Sequence, residues 1–174
     1  MKLKNYVKEG QKLPLFGIGP YLIYGMAVLN IIVLILAGYI FKSGILEGVL
    51  IHVCRISGAV LIILGVAIWV IGALRSGMDK NITENRLKTD GIYAWLRNPM
   101  YTGLWFFMSG IGLMWHNVWL VMMILVDWII MTVVLINTEE KWLLDLYGEE
   151  YAEYKKRVNR FIPWKSGVQQ TQKR

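Results

Sequence analysis

Reactive side chains in this chain gather in two short stretches, Arg97-Asn98-Pro99-Met100-Tyr101 and Glu139-Glu140. Pro99 suits the first turn of a helix, where its missing N–H costs nothing, and Asn98 stands at the cap position before it. A helix start with Arg97 beside it can hold an anionic group such as a carboxylate. Glu139 and Glu140 close a long apolar run, where carboxylates serve either as interfacial charges or as groups facing a polar cavity. Asp127 lies inside that run. A carboxylate there is a functional candidate by default, but its setting favours either a helix–helix hydrogen bond or a position near the outer surface. Cys54 is single, so it forms neither an internal disulfide nor a thiolate metal site. His52 and His116 lie toward the other side of the membrane without helical pairing, which argues against metal or haem.

The elements that must position these groups are membrane helices. Of the 174 residues 56% are hydrophobic and 18% charged, with 8 Trp and 9 Met; a soluble domain would carry about 25% charge. Three runs lack any charge: Tyr21 to Phe41, Ile56 to Leu74, and Asn98 to Val126. Each is long enough to cross a hydrocarbon core of ~30 Å, which takes ~20 helical residues. An ordinary soluble domain, a disordered tail and a disulfide scaffold are thereby excluded. The first run is too long for a signal-peptide core and is expected to be retained. Residues 98–138 form one stretch interrupted only by Asp127. As a single helix this stretch would be about 60 Å long, so two helices must turn near His116-Asn117, between the interfacial Trp115 and Trp119. The expected class is an all-α integral membrane protein with about four transmembrane helices, near 16–41, 52–74, 99–115 and 119–138.

Charge sets the orientation. Of the 19 Lys and Arg, only Lys42 and Arg55 fall outside the N-terminal tail, the loop 75–98 and the segment after residue 138. By the positive-inside tendency those three segments, and both termini, are cytoplasmic. Topology and anionic lipid then account for the net charge of +7, and no nucleic-acid partner is expected. In the C-terminal segment Leu143 and Tyr147 share a helical face, Gly148 suits a helix stop, and Tyr151, Tyr154 and Val158 continue the apolar stripe. The pattern predicts a C-terminal amphipathic helix at the cytoplasmic surface, ended by Pro163.

At these residues the sequence resembles the isoprenylcysteine carboxyl methyltransferases, a membrane family that includes phospholipid methyltransferases. The likeness rests on Gly91-Ile92-Tyr93, on Arg97-Asn98-Pro99-Met100-Tyr101-Thr102-Gly103, on Glu139-Glu140, and on Tyr147-Gly148-Glu149-Glu150-Tyr151 through Val158. It covers about residues 78–163. The resemblance implies a methyltransferase using S-adenosylmethionine, with S-adenosylhomocysteine as product and a lipid or lipophilic acceptor; no metal is expected, on the grounds given for His52 and His116. It assigns cofactor contacts to Met78, Asn85, Arg86, Leu87, Lys88, Tyr93, Asn98, Pro99, Met100, Tyr101 and Glu139. Leu87 and Met100 would flank the adenine, Glu139 would meet ribose hydroxyls or the amino group, and Arg97 with the helix start would take the methionine carboxylate. Arg97 and Glu140 are the catalytic candidates.

Two positions depart from the family pattern. Asn98 stands where the family has histidine, and Leu135 where the carboxyl methyltransferases have an arginine for the substrate; Asn137 is the polar neighbour, and both are substrate candidates. The Leu135 departure brings in a phospholipid (ethanolamine) N-methyltransferase as the alternative, and a small four-span transporter or non-enzymatic membrane partner is the alternative of another class. The chain reads as a single membrane domain, 1–174: spans one and two in 1–75, the cofactor loop, helical hairpin and catalytic segment in 76–164, and a disordered tail in 165–174. A prokaryotic plasma membrane with a cytoplasm-facing active site is the expected location.

Overall fold

The computed structural model describes residues 17–75 and 86–163. Helices carry it: α1 (Gly19–Leu34), α2 (Val49–Val70), α3 (Pro99–Met114), α4 (Val118–Asn137), α5 (Glu139–Tyr147) and α6 (Glu149–Arg157). Wider π-type turns extend α1 over Ile35–Ile40 and α2 over Ile71–Arg75, and a 3-10 turn, Gly91–Ala94, precedes α3. No strand forms among the described residues; backbone pairing there is limited to isolated bridges, Ile45 with Asn117 and Leu96 with Asn159. Three helical stretches are long and apolar enough to cross a membrane: Gly19–Ile40, Val49–Leu74 and Val118–Tyr147. The chain is an integral membrane protein.

The central contact joins α2 to α3 through glycines seven residues apart. A Cβ at Gly65 would lie 2.6 Å from the Gly103 carbonyl oxygen, and one at Gly103 2.7 Å from the Gly65 oxygen. Gly58 and Gly110 repeat the pattern, at 2.7 and 2.6 Å. Only hydrogen fits between these backbones. Lipid tails are as apolar as leucine, so helices in a bilayer gain chiefly from such close van der Waals approach.

The turn from α3 into α4 falls at His116-Asn117, as the flanking tryptophans indicate. Asn117 caps α4 by accepting from the Trp119 N–H at 3.0 Å, and its Nδ2 donates to the Ser43 carbonyl at 2.8 Å, tying the turn to the loop after α1. Across the hairpin the Trp105 indole donates to the Ile124 carbonyl. On the other side of α4, Asn30 of α1 donates to Asp127 at 2.8 Å. Asp127 is 1% exposed, and of the two structural roles expected of it the helix–helix hydrogen bond is the one it takes.

The C-terminal segment corrects one expectation. The expected amphipathic helix is two helices, α5 and α6, parted at Gly148, the expected helix stop, whose φ of 54° suits glycine. The stripe holds across the break: Tyr151, Tyr154 and Val158 form a buried cluster backed by Leu87, Leu143 and Tyr147. The Tyr154 hydroxyl donates to the Tyr93 carbonyl at 2.6 Å, fastening α6 to the turn before α3. Burial pushes the hydroxyl of Tyr154 up, and that of Tyr151 up to about 12, with the Glu140 carboxylate adding to the latter. Chain 158–161 then runs alongside 96–98. The Arg97 N–H donates to the Asn159 carbonyl, the Asn98 N–H to the Arg160 carbonyl, and the Thr102 hydroxyl to the Phe161 carbonyl.

Candidate active site

Glu139 and Glu140 are neighbours on α5, so their side chains leave the helix about 100° apart. They meet different partners. The Glu139 Oε1 accepts from the Tyr101 hydroxyl at 2.5 Å and from the Ile18 N–H at 3.3 Å. Glu140, 4% exposed, sits among three cations: its Oε1 is 2.5 Å from Arg160 Nε and 3.2 Å from Arg97 Nη1. Lys155 Nζ lies 3.0 Å from Oε2 as an ion pair, without the alignment of a hydrogen bond. Arg97 Nη1 also donates to the Tyr151 hydroxyl at 3.2 Å. A buried carboxylate needs such pairing, and this one fastens α5 to the chain on both sides of the start of α3.

That geometry speaks against a catalytic role for Glu140 as a base, since a carboxylate committed to three cations is a poor proton acceptor. It also corrects the capping role given to Asn98. With φ −127° and ψ 63°, Asn98 makes no side-chain cap bond. Its Nδ2 is buried without a partner among the described residues, as is the Nε of Arg97. Two donors left over at one helix start are a place for an acceptor group to bind.

Behind the Tyr101–Glu139 pair lies an apolar floor. Tyr101, Trp105, Leu22, Met26, Met131, Leu135 and Phe161 form one buried cluster drawn from α1, α3, α4 and the 158–161 strip. Leu135 is wholly buried there. Asn137 is exposed on the other face of α4, donating to the Val133 carbonyl and meeting Lys141. The structure therefore does not bring these two substrate candidates together, because residues two apart on a helix point in different directions.

The remaining candidates are distributed as follows. Pro99 is buried against Gly72, with Met100 beside it. Tyr93 is buried and held by α6, Leu87 packs against the tyrosine cluster, and Lys88 pairs with Asp90 at 2.8 Å. Arg86 is exposed. Met78 and Asn85 lie outside the described residues. Sequence reasoning missed Arg160 and Ile18. Arg160 read as one basic residue among many, and a backbone N–H carries no sequence signal.

Comparison with known proteins assigns this membrane protein to a family. A family model described as phospholipid methyltransferase matches residues 53–150, more than half of the chain. The chain belongs to that family. Among curated relatives, the protein-S-isoprenylcysteine O-methyltransferase of Saccharomyces cerevisiae is 32% identical over 119 residues, 64% of this chain and 49% of the yeast protein. The human protein of that name is 31% identical over 123 residues, 65% and 42% of the two chains. The methanethiol S-methyltransferase 1 of Bradyrhizobium diazoefficiens is 34% identical over 91 residues, 52% and 31%. These matches span half or less of the length of the relatives.

Proposed function

We propose that the protein is a membrane methyltransferase using S-adenosylmethionine, acting on a lipophilic acceptor at the cytoplasmic boundary of the bilayer. The observation that carries this reading is the meeting of Tyr101 with Glu139 at the rim of an apolar cluster, beside the unpartnered donors of Arg97 and Asn98. Family membership and the names of the relatives support the reaction class.

The residues present fit the cofactor. Arg97 and Asn98 would hold its methionine carboxylate, Glu139 would accept from its ribose hydroxyls or pair with its amino group, and Leu87 and Met100 offer apolar walls for adenine. When bound, S-adenosylmethionine supplies an electrophilic methyl group on a sulfonium. The protein's part is to align and to exclude water, which can supply ~7–11 kcal/mol of a barrier in favourable models. Tyr101 and Glu139 fix one end of the site. The ion cluster at Glu140 holds α5 against the start of α3, and the apolar cluster keeps the acceptor's path dry.

Four spans are part of this proposal. α3, at 16 residues, is about 24 Å long, a little less than the ~30 Å hydrocarbon core, so Asn98 and the site fall at a boundary. The excess of Lys and Arg around that end makes it the cytoplasmic one. Both termini, α5 and α6 lie on the same side.

The test is calorimetric binding of S-adenosylhomocysteine to purified protein in detergent, followed by transfer of labelled methyl to total lipid extract and to prenylcysteine analogues. Binding by the wild type that Glu139→Ala abolishes is the expected result. A folded wild type that binds nothing, in detergent and again in nanodiscs, refutes the reading.

A further inference from the structure

Helix α1 starts without a cap of its own. Ile18 stands at its cap position with no side-chain bond, and the first turn contains no acidic residue. Every helix start leaves unsatisfied N–H groups, and here the carboxylate of Glu139, 121 residues away, takes the Ile18 N–H at 3.3 Å. The same oxygen receives the Tyr101 hydroxyl. A carboxylate at the positive end of a helix is well placed electrostatically.

The residues on either side of Ile18 are both glycine, and each presses on one member of the pair. A Cβ at Gly17 would stand 2.6 Å from Glu139 Oε1, and one at Gly19 2.9 Å from the Tyr101 hydroxyl oxygen. Gly17 also has φ +45°, which side-chain-bearing residues rarely adopt. By contrast, Gly25 on the same helix has nothing within 4 Å of a built Cβ. The tight fit is thus confined to the turn that touches Tyr101 and Glu139.

We propose that the turn Gly17-Ile18-Gly19 is a positioning element of the active site. Its backbone N–H, together with the Tyr101 hydroxyl, pins Oε1 of Glu139. Oε2 then has no hydrogen-bond partner among the described residues and is the oxygen presented to the cofactor. Its two glycines leave the room that the Tyr101–Glu139 bond needs. The inference rests on the methyltransferase reading and extends the site to the first membrane helix, which none of the expected site residues included.

The test is a four-member cycle of wild type, Gly19→Ala, Tyr101→Phe and the double variant, with Gly25→Ala as control. The readouts are S-adenosylhomocysteine affinity and thermal unfolding. Gly19→Ala is expected to weaken binding about tenfold in the wild-type background and less than about twofold beside Tyr101→Phe, because the hydroxyl it strikes is then gone. Gly25→Ala should change nothing. Equal losses in the two backgrounds, or no loss in either, overturn the proposal while leaving the methyltransferase reading intact. If Gly19→Ala alone fails to fold, the double variant should fold and bind like Tyr101→Phe, and failure of that rescue also overturns it. A wild type that binds no S-adenosylhomocysteine removes the reading on which the proposal rests.

Discussion

Glu139 and Glu140 are chemically identical and adjacent, yet their surroundings divide their work. Glu140 holds three cations together, so its removal leaves the buried Arg97 side chain and the partly buried Arg160 without a counter-charge. Breaking a buried pair from one side costs about 3–5 kcal/mol. Glu140→Ala is therefore expected to lower the unfolding midpoint sharply, as measured by thermal denaturation in detergent. Glu140→Gln should be milder, because it keeps a hydrogen-bond acceptor while losing the charge. Glu139→Gln, which retains an acceptor for Tyr101 and Ile18, should leave stability nearly unchanged while weakening cofactor binding. Tyr151 answers to pH. Its hydroxyl, raised from 10.0 to about 12 by burial and by Glu140, is held neutral in the folded protein. The associated stability is full below about pH 10 and is lost as pH rises through about 12, to a total of about 2–3 kcal/mol. Ultraviolet difference titration of the wild type against Tyr151→Phe should show this tyrosine ionising near pH 12.

Pairing of helices rests on two kinds of contact. Between α2 and α3 it is backbone against backbone at Gly58, Gly65, Gly103 and Gly110. The obstructing atoms are carbonyl oxygens that no rotamer change can move. Overpacking costs typically about 1–3 kcal/mol, and contacts near 2.6 Å on main chain lie toward the upper end. Gly65→Val should depress the unfolding midpoint and the yield of monodisperse protein, whereas a substitution at Gly25 should do neither. Elsewhere the helices meet through side chains: Asn30 with Asp127, and the indole of Trp105 with the Ile124 carbonyl. Interhelical hydrogen bonds in bilayers average only about 0.6 kcal/mol, so Asp127→Asn is expected to be mild by the same measurement.

For the molecule as a whole, the apolar helices and the charged α5–α6 end divide it into a membrane part and a polar end. The orientation proposed from the basic residues is open to direct measurement. In a Cys54→Ser background, cysteines introduced in turn at the exposed Lys156 and the exposed Glu47 should react with an impermeant maleimide from opposite faces. Lys156→Cys should label only in inside-out vesicles. Labelling of Lys156→Cys in right-side-out vesicles would reverse the topology and place the site outside.

Much of the architecture was legible because it depends on composition and periodicity. Runs of apolar residues fix where helices cross, Trp115 and Trp119 mark the turn, and the spacing of Tyr147, Tyr151, Tyr154 and Val158 fixes one buried face. The motif residues Arg97, Tyr101, Glu139 and Glu140 were recognisable by type and order. Their partners were not. Which glutamate meets Tyr101 and which meets Arg97 and Arg160 depends on the angle at which α5 leaves the break at Thr138. Asn98 fails to cap α3 because its backbone angles are set by the 158–161 strip alongside it. The glycine seam and the Ile18 contact escape a linear reading for a related reason. Glycine and a backbone N–H carry no side-chain chemistry to read, and their effect exists only when another segment comes within van der Waals distance. Composition and pattern determine that this chain enters a membrane as helices and carries polar groups at one end; close packing of segments up to 121 residues apart decides which of those groups act together.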